Sequence, residues 1–239
     1  GGLMYMNKQQ LKRKRLKLVH SGKVNNVYQT DDPLYLELEA SDRISAGNGK
    51  ETDSITNKGI INNMISSKLF NILEAKGIPT HYVGEGSNQA SKFVKTCRMI
   101  PLEVTGIFVT TGSICRRYGI PKGISFSPAP FIEFFYKSDE EGDSPIDRRT
   151  ITTFDILTID ELHKVEAYAS KIGQSLSEFY NFIDVELIDF RVKFGHSKEN
   201  GEILLAGDIS PDTFQLIDKQ TGRRLEHRQL SKKLDLNLN

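Results

Sequence analysis

The stretch Val185 to Asp212, VELIDFRVKFGHSKENGEILLAGDISPD, decides the architecture. Its first half alternates with the period of two that a half-buried strand requires: Ile188, Phe190, Val192 and Phe194 share one face, while Asp189, Arg191 and Lys193 share the other. A solvated strand face and the floor of a functional cleft explain this charged stripe equally well. Asn200-Gly201 is a turn pair, so the apolar run Ile203 to Ala206 is expected to return as the second strand of a hairpin, and GDISPD then places Asp208 and Asp212 at the hairpin's mouth.

Upstream of this stretch, Thr158-x-x-Glu161 is a capping box that opens the longest helix, with Leu162, Val165, Ala169, Ile172, Leu176 and Phe179 as its buried stripe. A second helix is expected from Thr56, where Ile61, Met64, Ile65, Lys68, Leu69, Ile72 and Leu73 keep helical spacing and Gly77 with Pro79 ends the run. Its stripe is core, and no chemistry is assigned to it. Between the helices, Phe93 to Lys95 and Met99 to Val104 read as strand, short connection and strand, with a domain junction near Pro101. A connection with exposed backbone groups and a methionine suits an adenine ring, and it also suits an ordinary hinge. Phe131 to Tyr136 is an apolar strand that delivers Lys137 to the acidic loop SDEEGDSPID, which is either solvated or a metal site.

The amino-terminal quarter carries less information. The basic leader KQQLKRKRLK, residues 8 to 17, has no interleaved aromatic residue and reads as a solvated arm rather than a nucleic-acid arm. Leu16 to His20, the turn SGKVNN and a strand from Val27, followed by Leu34 to Leu38, form a strand, glycine turn, strand arrangement. A Gly-Lys pair in such a turn lets backbone amides and the Lys23 ammonium approach a phosphate, although a turn lysine needs no such role. SDRISAGNGK, Ser41 to Lys50, reads as a small-residue loop of the kind that lies against a ligand. Gly1-Gly2 resembles a cloning remnant, with a natural start at Met4 or Met6.

The chain of 239 residues is 38% hydrophobic, enough for two modest domains or one large one. Lys plus Arg total 32 against 31 Asp plus Glu, so no overall charge points to nucleic acid or an anionic membrane. Two cysteines, Cys97 and Cys115, provide no disulfide framework, and no apolar run reaches the length of a membrane span, so a cytoplasmic setting is expected. The expected partner is a small-molecule substrate, and a homo-oligomer is left open.

In order along the chain, SGKVNNVY, SDRISAGNGK, NKGIINNMISSKLF, GIPT, VKTCRMIPLE, TTGSICRRYGI, FFYKSD, LIDFRVKFG and LLAGDISPDTFQLID resemble the SAICAR synthetase family of purine biosynthesis, from about Leu16 to Asp218. The resemblance implies an α/β (α+β) protein of two domains: residues 11–100 as a smaller twisted-sheet domain with a kinase-like nucleotide flap, and 101–239 as a larger ATP-grasp-like domain. ATP would lie between them. It also implies a ligase that joins aspartate to a carboxylated aminoimidazole ribonucleotide through an acyl phosphate, with ADP and phosphate released and Mg2+ present. By the same resemblance Lys23, Lys95, Met99, Glu103 and Ser113 bind the nucleotide or phosphate, and Lys137, Asp189, Arg191, Lys193 and Asp212 line the reacting centre.

Departures from the family pattern cluster on one side of that site. Asn25 stands in place of a second flap lysine, Ile107 and Gln215 in place of two phosphate-binding arginines, and Lys193 in place of a metal-binding glutamate. Gly207 takes the position of a metal-binding aspartate, so Asp208 becomes a metal ligand only where the backbone bulges to re-aim it. These departures make Mg2+ doubtful. They lead to the expectation of a diverged, ATP-dependent amide-forming ligase with an altered substrate. The alternatives are a non-catalytic binder or an enzyme for another adenosine-containing molecule, and the authentic SAICAR synthetase.

Overall fold

The computed structural model describes residues 13–46, 51–54 and 56–234. The first sheet is five-stranded and antiparallel, in the order β1-β2-β3-β7-β6. Its strands are β1 (Arg15–Ser21), β2 (Asn25–Thr30), β3 (Tyr35–Ala40), β6 (Tyr82–Glu85) and β7 (Ser91–Lys95). Arg15, in the described part of the basic leader, belongs to this sheet: its guanidinium pairs with Glu39 and with the buried carboxylate of Glu37. The stretch Ser41 to Lys50 departs from the loop expectation, because β4 (Arg43–Ala46) pairs with β5 (Glu51–Ser54) as a separate two-stranded ribbon. Such a ribbon is held by its backbone ladder and needs no apolar period. Its tip, 47–50, lies outside the described residues.

The second sheet runs β10-β9-β8-β11-β12, with β13 (Phe214–Asp218) also paired to β11. Here β8 is Cys97–Ile107, β9 Phe131–Tyr136, β10 Ser144–Pro145, β11 Val185–Ser197 and β12 Ile203–Ala206. Only Thr96 separates β7 from β8, so Met99 and Pro101 belong to a strand and not to a connection. Pro101 is tolerated because the pairing with β11 is irregular between Lys193 and Gly195, while its carbonyl still accepts from the Lys137 amide at 3.0 Å.

The long alternation in β11 holds from Asp189 onward: Phe190, Val192 and Phe194 are buried, whereas Arg191 is exposed. At Ile188 a bulge against β13 changes the phase, so that Leu187 shares the core with Phe190, and the Ile188 carbonyl accepts from the amides of both Phe108 and Val109. The apolar face packs under α4 (Ile159–Phe182), whose capping box forms as expected between Thr158 and Glu161. At Gly106 close packing is decisive, since a Cβ there would lie 2.1 Å from the Phe190 ring.

Helix α1 (Lys58–Ala75) buries Ile61, Ile65, Leu69 and Leu73 in one hydrophobic core that also includes Tyr82 of the first sheet and Val104 and Phe190 of the second. The segment that follows it ties the sheets together: the His81 amide donates to Leu205 of β12, and the His81 carbonyl accepts from Lys95 of β7. Three short helices, α2 (Ser113–Tyr118), α3 (Arg148–Thr153) and α5 (His227–Lys233), complete the described elements together with a single 3-10 turn, Pro211–Thr213. Among the described residues no helix is long and apolar enough to cross a membrane.

Candidate functional site

The face of the second sheet turned away from α4 gathers most of the charged stripe. Antiparallel register sets Asp189 across from Ile107, Arg191 across from Thr105 and Lys193 across from Glu103, and continues on β9 to Phe131, Glu133 and Phe135. Glu103, Asp189, Arg191 and Lys193 therefore share one floor, since residues two apart along a strand project to the same side. The Ile107 side chain is buried on this floor. Burial raises the Asp189 carboxyl, against the pull of Arg191 and Arg224. No described residue pairs with the Lys193 ammonium.

Above the floor, the chain leaves β12 at Gly207, whose φ of 86° lies in the left-handed region that glycine adopts readily. Asp208 accepts from Ser210 Oγ at 2.8 Å and is hydrogen-bonded by the side chain of Asn25, the residue at the start of β2. Burial raises its carboxyl, and the charge of Lys92 works against that rise. Lys92 itself is buried, donates to Ser66 Oγ at 2.8 Å, and is lowered by burial to about 8, with Asp208 opposing.

Asp212 is the most heavily engaged group. Its Oδ2 accepts from Lys58 Nζ at 3.0 Å and Asn62 Nδ2 at 2.9 Å, its Oδ1 faces His227 Nε2 at 3.7 Å, and its backbone carbonyl accepts from Arg191 at 3.1 Å. Lys58 also donates to the carbonyl of Arg43, and the Arg43 guanidinium grips the β1–β2 turn at Gly22 O, Ser21 Oγ and Asn26 Oδ1. A hydrogen-bonded path thus runs from the flap turn to the floor. Helix α1, read from its periodicity as core alone, contributes Lys58 and Asn62 here. The helical period identified the apolar stripe, but a polar residue at the first turn carries no periodic signal, and His227 sat in a basic tail without pattern.

The remaining sequence candidates lie around this centre. Lys23 is exposed on the flap turn, Lys95 ends β7 at the junction, and Met99 is 43% exposed opposite Gly195. Ser113 opens α2 and accepts from Arg117 Nε, while Arg117 holds Glu133 of the floor with both terminal nitrogens at 2.8 and 2.6 Å. Lys137 pairs with Asp143 of the acidic loop at 3.0 Å. Lys23, Ser113 and Lys137 make no hydrogen bond or ion pair to the charged floor among the described residues, apart from the indirect link of Ser113 through Arg117.

On the other side of the β8–β11 pair, His196 Nε2 meets Glu161 Oε2 at 2.6 Å in a groove with Cys97 and Arg98. Burial pushes the Cys97 thiol up to about 11, which leaves it protonated and unreactive at neutral pH.

Among the described residues there is no group of three or more His, Cys, Asp or Glu side chains able to hold a metal ion.

A two-sheet molecule with a charged sheet face, a glycine-lysine turn between β1 and β2, and Asp208 and Asp212 just beyond β12 is compatible with a nucleotide-dependent ligase. The family model described as SAICAR synthetase matches residues 18–235, and the chain belongs to that family. The phosphoribosylaminoimidazole-succinocarboxamide synthase of Caldanaerobacter subterraneus subsp. tengcongensis is 40% identical over 217 residues, 91% of each chain. The enzyme of that name from Ehrlichia chaffeensis has a solved structure that superposes with a TM-score of 0.86 at 35% identity, covering 93% of this chain and all of that one. A SAICAR synthetase solved in complex with ADP gives 0.80 at 32% identity, over 92% of this chain and 91% of that one. Similarity of this extent favours the ordinary family enzyme over the altered-substrate reading drawn from Ile107, Gln215, Lys193 and Gly207.

Proposed function

We propose that the protein is an ATP-dependent ligase that makes the phosphoribosylaminoimidazole-succinocarboxamide product for which its relatives are named. The observation that carries this reading is the 40% identity that extends over nine-tenths of both chains. In the reaction a substrate carboxylate oxygen attacks the γ-phosphorus of ATP and ADP leaves. The amine of aspartate then attacks the acyl carbon, phosphate leaves with the bonding electron pair, and the amide nitrogen loses a proton. Lys23, Lys95 and Lys137 are the residues we assign to the polyphosphate, with Met99 and Glu103 at the adenine and Ser113 at a substrate phosphate. Asp189, Arg191, Lys193 and Asp212 are assigned to the carboxylate and amine partners, and the 11–100 and 101–239 segments to the two domains that enclose them. Free Cys97 and Cys115 suit a cytoplasmic setting.

The test is ADP release by the purified protein supplied with ATP, aspartate and carboxyaminoimidazole ribonucleotide, backed by complementation of a purine auxotroph. Turnover that requires all three reactants is the expected result. A second reading, a ligase for a substrate without the ribonucleotide phosphate, is favoured by one observation: the buried, apolar Ile107 opposite Asp189, where guanidinium would grip a phosphate. Stabilisation by ATP with no turnover of the ribonucleotide would support that second reading and remove the first. Ile107→Arg would then raise ribonucleotide binding from nothing.

A further inference from the structure

We propose that nucleotide binding in this cleft does not depend on a divalent cation held by the protein, because lysines of the chain already neutralise the carboxylates that would hold one. The proposal rests on the nucleotide reading above. Mg2+ demands near-octahedral oxygen donors and is usually bound through one or two carboxylates together with phosphate oxygens. Here Asp212 gives one oxygen to Lys58 and Asn62 and turns the other toward His227. Asp208 is engaged by Ser210 and Asn25 and has the buried Lys92 as its charged neighbour.

The third position is Lys193. It stands directly across from Glu103, and a Cβ built on Gly207 would lie 3.5 Å from its Cβ and 3.6 Å from its Cδ. The space beside Gly207 is therefore bordered by the stem of an ammonium-bearing side chain. A divalent ion placed among these groups would be repelled by Lys58, Lys92 and Lys193, since Coulomb energies between close charges are large when water is partly excluded. The free nucleotide polyanion is the form whose charge this cleft complements.

Calorimetric titration of ADP into the full-length protein at pH 7, in excess Mg2+ and again in EDTA, tests the proposal. Dissociation constants that agree within about threefold are expected, a difference well below 1 kcal/mol. Lys193→Glu removes the ammonium and supplies a carboxylate, so EDTA should weaken ADP binding by this variant at least about tenfold. Should that variant be unfolded by circular dichroism, Lys193→Met replaces it, and its binding should fall more in EDTA than in Mg2+. Electron paramagnetic resonance of Mn2+ with the nucleotide-free protein should show only the free ion. A loss of wild-type affinity of tenfold or more in EDTA, or Mn2+ bound without nucleotide, overturns the proposal. Absence of ADP binding in both buffers refutes the nucleotide reading itself, and the proposal with it.

Discussion

His81 links both sheets through its backbone and is buried, with Lys92 as its charged neighbour, the Gly207 backbone as hydrogen-bond partner and the Phe70 ring 5.3 Å away. Burial first, and Lys92 second, lower its imidazole from the ordinary 6.5 to about 3. In the unfolded chain it takes up a proton near pH 6.5, and in the folded protein it does not until about pH 3. The unfolded state therefore binds more protons throughout that window, and stability must fall as the pH drops through it. Between pH 7 and pH 5 the protonation difference amounts to about 1.4 units, or roughly 2 kcal/mol at 1.36 kcal/mol per unit. Urea unfolding at the two pH values, on wild type and on His81→Gln, measures this directly. The amide of glutamine retains a donor for the Gly207 backbone but does not titrate, so the variant should lose about 2 kcal/mol less than wild type on acidification. Parallel pH dependence in the two proteins would refute the assignment of a neutral, buried imidazole.

Nucleotide should raise the melting temperature of the wild type by mass action, and Lys95→Ala or Glu103→Ala should abolish that rise in a thermal-shift measurement. Gly106→Ala drives a Cβ to 2.1 Å from the Phe190 ring and should cost about 1–3 kcal/mol in urea unfolding, with ligand binding retained in whatever remains folded. Glu161→Ala removes both the reciprocal half of the α4 cap and the partner of His196, a loss of about 1 kcal/mol that hydrogen exchange should localise to the first turn of α4. The Glu161 carboxyl is held below its ordinary 4.5, with the His196 hydrogen bond the largest cause. Its contribution should therefore be intact above pH 4.5 and vanish as the pH falls through the lowered value, so wild type and variant should converge in strong acid.

The amino-acid order alone determined the parts of the molecule that obey a local period. The capping box of α4, the stripe Ile61, Ile65, Leu69 and Leu73 of α1, the hairpin about Asn200-Gly201 and the charged face Asp189, Arg191 and Lys193 all follow from spacings of 2 and 3.6 residues, which side-chain direction imposes along a strand or helix. The matching blocks likewise announced the family. What tertiary structure decided are the pairings between residues far apart in the chain: Lys58 with Asp212, Asn25 with Asp208, Arg43 with the flap turn, and the bulge at Ile188 that shifts the phase of β11. Pattern cannot reach these, because whether a buried lysine meets a carboxylate depends on where two sheets and a helix end in space, and the cost of leaving such a charge unpaired is settled only when they pack.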